Sequence, residues 1–157
     1  MKLEFKKNRN KKHVIVYHRD NGTETWMYAD DFFIAHDLSH YAIEKTLGYK
    51  TAFYGMINSG IELSDFLDKR KRDVMSFTNE AMNAESMANL FLMDKNQGRV
   101  ADFNRLQQDV LHTTVPEVSP LQLTEVQIDS IRNRLVQLLS QWNQLKANQS
   151  LHLEIDV

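Results

Sequence analysis

The stretch from Asp30 to Gly48 constrains the fold more than any other part of the chain. Asp30 or Asp31 can act as an N-cap, where acidic charge suits the helix dipole. Gly48 supplies a left-handed stop, and neither Pro nor Gly interrupts the residues between. The stretch therefore predicts one unbroken helix. At about 100° per residue, Phe32, Phe33, His36, His40, Ile43 and Leu47 share one sector, with Asp37 and Glu44 at its edge. Ile34, Leu38, Tyr41 and Ala42 form a second apolar sector on the other side. A helix that is apolar on two sides is buried between layers. The rest of the chain must supply both.

The same helix carries the one concentrated chemical pattern. His36 and His40 lie one turn apart inside the apolar stripe, so they are expected to point inward toward a pocket. Rings at that spacing can converge on one divalent ion such as zinc. Asp37 follows His36 as the general-base Glu follows the first His of the H-E-x-x-H motif, with a side chain one methylene shorter. It is the candidate catalytic residue, as base or ligand. Glu44 stands one turn beyond His40, either as a third metal ligand or as a carboxylate that orients the His40 ring. An axial separation of ~12 Å between His36 and Glu44 makes joint ligation of one ion strained in a continuous helix. The candidate metal set is thus His36, His40 and Glu44. The same residues also fit a buried, mutually satisfied polar network without an ion.

The string His36-Asp37-Leu38-x-His40-x-x-x-Glu44-x-x-Leu47-Gly48 resembles a helix motif of small uncharacterised bacterial proteins, followed there by an aromatic-Gly segment. Phe53-Tyr54-Gly55 matches that segment. The resemblance covers roughly residues 30 to 60 and implies no established activity. The His36-Asp37 pair also resembles that of the HD-domain metal phosphohydrolases. That family is all-helical and requires a separate upstream His and a downstream Asp. Here the upstream candidates, His13 and His18, fall in a predicted hairpin, which departs from the pattern.

Composition narrows the chemistry. The chain of 157 residues favours one domain over 1–157, with 42% hydrophobic and 25% charged residues as in ordinary globular proteins. A net charge of -2 exerts no pull toward nucleic acid or an anionic membrane. The absence of cysteine excludes disulfides, thiol catalysis and thiolate ligands. The segment Met1 to Lys7 is too polar for a signal peptide, and no apolar run approaches the ~18 residues of a membrane span. The expected location is the cytoplasm.

Both ends of the chain read as sheet. Residues 2–6 alternate like a short edge strand. A basic run, Lys6 to Lys12, follows as a solvated connector. Residues 13–18 and 23–28 are strand formers around Asn21-Gly22, a hairpin signal. A two-residue turn there sets Arg19 opposite Glu24 and Tyr17 opposite Trp26. Leu151 to Val157 alternates apolar and polar residues and is expected to join the hairpin as a further strand.

Between them the pattern is helical. Residues 49–60 are expected to fold back on the central helix as a short helix or turn, and Asp68 to Asp73 to be a solvated face or loop. A helix over 78–95 has Phe77, Ala81, Ala84, Ala88 and Phe91 on one face, with Met82, Met87 and Met93 as adaptable surface. Asp94 to Gly98 has the look of a calcium loop, but its Gly is one position early and Arg105 replaces the bidentate Glu, so it reads as a turn. A helix over 99–112 ends near His112, a remote candidate ligand. Pro116 and Pro120 bracket a connector. Thr124-Glu125-Val126-Gln127 is a capping box, with Leu123 and Ile128 as a staple. Its helix is expected over 125–147. The apolar seam from Ile128 to Leu145 needs a helical partner, within the chain or in a homo-oligomer. The fold class is α+β: a small antiparallel sheet, N-terminal hairpin plus C-terminal strand, packed with a mostly helical layer.

Overall fold

The two ends of the chain meet in one open sheet. The computed structural model describes residues 1–114 and 118–157. Its strands are β1 (Lys2–Lys6), β2 (His13–His18), β3 (Glu24–Ala29) and β4 (Ser150–Glu154). Their order is β3-β2-β1-β4, and every neighbouring pair is antiparallel. β1 is therefore an interior strand and not the edge its length suggested, because β4 pairs with it along Lys2–Glu154 to Lys6–Ser150. Alternation puts Leu3, Phe5, Ile15, Tyr17 and Thr25 on the buried face, while Trp26 and Tyr28 stand on the open one.

The hairpin register differs from the expected one by one residue. Gly22 N–H donates to the Arg19 carbonyl at 3.0 Å, and Arg19 N–H donates to the Thr23 carbonyl at 2.9 Å. Gly22 has φ +84°, so the loop is Asp20-Asn21-Gly22, a turn closed by a left-handed Gly. His18 then faces Glu24, Tyr17 faces Thr25 and Val16 faces Trp26. The shift decides which faces are buried: Tyr17 enters the core and Trp26 does not. Arg19 lies opposite Thr23 and not Glu24. Its guanidinium reaches the Ile57 carbonyl at 2.7 Å and Glu62 at 2.9 Å.

The described residues contain seven helices: α1 (Asp31–Leu47), α2 (Phe53–Asn58), α3 (Leu63–Leu67), α4 (Lys69–Val74), α5 (Asn79–Gln97), α6 (Phe103–Thr114) and α7 (Glu125–Gln144). This is the expected α+β class. Asp30 is the N-cap of α1, accepting from Phe33 N–H, and Gly48 ends the helix at φ +69°. α1 packs against α5 and α7 and reaches β2 and β3. Its Ile34, Leu38, Ala42 and Ile43 are fully buried. At the α5 crossing, Ser39 Oγ donates to the Ala88 carbonyl at 3.1 Å, and buried Ala84 and Ala88 keep the helices close.

Several expected boundaries move. The basic segment 69–74 is helical, as α4. α5 runs through Gln97, so the turn read at 94–98 is confined to its C-cap Gly98. Asp94 is committed to Arg132, with Nη2 at 2.7 Å and Nε at 3.0 Å. α6 starts at Phe103, behind Asp102, whose carboxylate accepts from Arg105 N–H. Met87, expected at the surface, is fully buried. Thr124 and Gln127 close the capping box of α7, whose C-cap is Leu145. Pro116 lies outside the described residues. The seam of α7 is covered by the chain itself: Ile128, Ile131, Leu135, Leu138 and Trp142 are buried, leaving Val126 and Val136 exposed. No helix among the described residues is long and apolar enough to cross a membrane.

Candidate metal centre and its pocket

His36 and His40 both turn toward α5, where they meet one carboxylate. His40 Nε2 lies 3.1 Å from Glu85 Oε2, and His36 Nε2 lies 3.4 Å from Glu85 Oε1. One ligand atom from each of the three residues falls within 4.8 Å of the others. Glu85 was not singled out from the sequence, since it is 45 residues from His40 and belongs to a polar stretch. A signal for it existed. It follows Ala81 by four residues and precedes Ala88 by three, so it lies on the face of α5 already read as inward.

Glu44 stands behind His40 and not beside the other two. Its Oε1 is 3.0 Å from His40 Nδ1, and its Oε2 accepts from Tyr54 N–H at 3.0 Å. The His40 ring is thus held at both nitrogens by carboxylates. Burial opposes charge on His40, but Glu44 and Glu85 outweigh it and push the ring up to about 10. His36, also opposed by burial, is raised by Asp37 and Glu85. Burial pushes the Glu44 carboxyl up, against the pull of His40 and the backbone of Tyr54 and Phe53. Glu85 is partly desolvated, yet the two rings hold it well below the usual carboxylate range.

Asp37 is buried next to this group. Tyr17 Oη–H donates to its Oδ2, and Tyr54 Oη–H donates to its backbone carbonyl at 2.7 Å. Its Oδ1 lies 3.9 Å from His36 Nδ1. Burial, then the nearby Asp37 charge, push both phenols well above their usual value, so they remain donors. Sheet, α1 and α2 are joined through this one residue.

The remaining histidines are elsewhere. His13 accepts from Asn8 N–H at Nδ1 and meets Asp31 at Nε2, each at 3.0 Å, and His18 faces Glu24. Neither joins the group, nor does exposed His112. The upstream His of the HD pattern therefore has no counterpart in this cluster.

His36, Asp37, His40 and Glu85 line one side of a pocket of ≈ 730 Å³. Its other walls are mainly apolar, with Phe53, Phe66 and Phe77 as aromatic contributors and Met82 and Leu90 from α5, and Ser86, Asn89 and Thr114 add polar groups. Phe33 stands at the pocket too, and Phe32 stacks near His36 at 6.2 Å. The wheel had placed both inward with the histidines, but Phe32 is 60% and Phe33 42% exposed, since the first turn of α1 forms the pocket's edge. The chain matches no protein-family model, no curated protein and no solved structure.

Proposed function

We propose that the pocket floor is a mononuclear site for a divalent transition metal of the zinc class. His36 Nε2, His40 Nε2 and the Glu85 carboxylate are its ligands, and the pocket provides the open position. The observation that carries this reading is the convergence of both Nε2 atoms on one carboxylate, at 3.4 and 3.1 Å. Ligand atoms on a tetrahedral ion of zinc's bond lengths are about 3.3 Å apart. The residues also fit the group chemically. A metal-bound His commonly gives its other ring nitrogen to a carboxylate, and Glu44 occupies that place on His40. The donor set is nitrogen and oxygen, as required in a chain without cysteine.

A bound ion would supply Lewis acidity and lower the pKa of water at the open position, the basis of hydrolytic catalysis. Asp37 is the remaining carboxylate along the pocket and is assigned as proton acceptor. Tyr17 fixes its carboxylate and Tyr54 its backbone. Glu44 orients His40.

Cobalt(II) titration of metal-free protein tests the site. One equivalent should bind and give the visible absorption of a four- or five-coordinate ion. The His36→Ala/His40→Ala double variant should lose it entirely, and Glu44→Gln should bind about 10- to 100-fold more weakly. Absence of cobalt binding by the folded wild-type chain refutes the reading. Equal binding by the double variant does so as well.

A further inference from the structure

The chemical character of the pocket walls defines what can occupy it. The volume, ≈ 730 Å³, is that of a small-molecule site. Phe33, Phe53, Phe66, Phe77, Met82 and Leu90 present apolar surface; the charged or ionisable groups are His36, Asp37, His40 and Glu85, and Ser86, Asn89 and Thr114 add neutral polar ones. No Lys or Arg is among the described residues that line it. The carboxylates at or behind the floor are Asp37, Glu44 and Glu85. Three carboxylates outweigh a single divalent ion, or the two histidine rings in its absence, and leave the floor without net positive charge. Phosphate recognition relies on Arg, Lys or an array of backbone N–H groups directed at the anion. Lys7, Arg9, Lys11 and Lys95 surround a separate cleft beside Trp142.

We infer that the pocket takes a neutral, elongated, largely apolar molecule with one oxygen donor at its end, of the fatty alcohol or fatty ester type, and that it discriminates against phosphorylated molecules. The apolar body would lie along the Phe and Met walls, with the oxygen at the histidine end. The unbranched Met27, Met56 and Met82 side chains adapt to molecules of differing length. The inference rests on the proposed metal site only in assigning the oxygen to the ion; the preference for an uncharged body follows from the walls themselves.

The test uses the full chain after chelator dialysis, so that it does not depend on the metal. The neutral fluorophore N-phenyl-1-naphthylamine serves as probe, with 1-decanol and decyl phosphate as competitors. The probe should gain fluorescence on binding, and decanol should displace it at concentrations at least tenfold below those needed for decyl phosphate. Phe33→Asp, at an exposed position on the rim, and Met82→Trp, which fills the pocket, should each weaken probe binding at least tenfold while keeping the wild-type circular dichroism spectrum. No probe binding, equal displacement by the two competitors, or undiminished binding by both folded variants overturns the inference. Cobalt titration of the same preparation separates the two claims. Cobalt bound without probe leaves the metal site standing and removes this inference. Probe bound and displaced as expected, without cobalt binding, removes the metal site and leaves the inference.

Discussion

Gly55 has no room for a side chain. A Cβ there would lie 2.0 Å from the backbone oxygen of Lys50, well inside the 3.0 Å that real Cβ contacts respect. This close approach lets α2 begin directly beneath α1, and so brings Tyr54 N–H to Glu44 and Tyr54 Oη–H to Asp37. Gly55→Ala must push backbone from backbone, and a destabilisation of about 1–3 kcal/mol is expected, as for overpacked core sites. A shift of the urea midpoint to lower concentration measures it, and an unchanged midpoint would mean that the segment yields freely. From the chain alone, Gly55 is visible only as the end of an aromatic-Gly segment. The need for glycine arises from a carbonyl five residues earlier, brought close by a turn that no single residue type announces. Glu85 is a similar case. Its face was legible, but not that two histidines 45 and 49 residues away would turn toward it.

Among the elements, α5 and α7 are joined by the Asp94–Arg132 pair, which also secures the turn after α5. Asp94 Oδ1 accepts from Val100 N–H at 2.6 Å, and Arg132 Nη2 donates to the Val100 carbonyl at 3.0 Å. Burial works against the Asp94 charge, but Arg132 outweighs it and holds the carboxyl below its ordinary value of 3.8. A carboxyl lowered in the folded state stabilises above its unfolded pKa, and that contribution is lost as pH falls through the folded one. Asp94→Ala is expected to cost about 2–3 kcal/mol at neutral pH, from the loss of charged hydrogen bonds. The gap from wild type should close as pH falls below 3.8. Urea midpoints at pH 7 and pH 3 measure both, and a gap that persists unchanged at pH 3 refutes the assignment. The elements that were legible end in local chemistry: Asp30 and Gly48 bound α1, and Thr124 with Gln127 opens α7. Of those read less well, α4 lacks an apolar stripe, and the start of α6 is set by the cap at Asp102, three residues inside the expected span.

For the molecule as a whole, β4 is the closing piece. It covers the free side of β1, and Tyr41 Oη–H on α1 donates to the Glu154 carbonyl at 2.9 Å, linking the last strand to the central helix. Deleting residues 150–157 leaves the β1 ladder open and uncovers apolar surface against buried Ile155. Such an edge recruits other chains. The truncated chain should lose its cooperative thermal transition and show raised mass by light scattering; a cooperative, monomeric truncation refutes this role. The class of fold was legible because strand alternation, the Asn21-Gly22 turn and the helix caps are short-range features, encoded within a few residues of where they act. Register was not: the loop holds three residues where a two-residue turn was expected, and one residue reverses which face is buried. The candidate site divides the same way. The amino-acid sequence by itself determined a helix with His36 and His40 on its inner side and Asp37 and Glu44 at the edge of that stripe. Only the tertiary structure decided that Glu44 would stand behind His40 while Glu85 completed the group. The position of a side chain across a helix crossing depends on packing angle and depth, which arise from the whole core and are written in no local stretch.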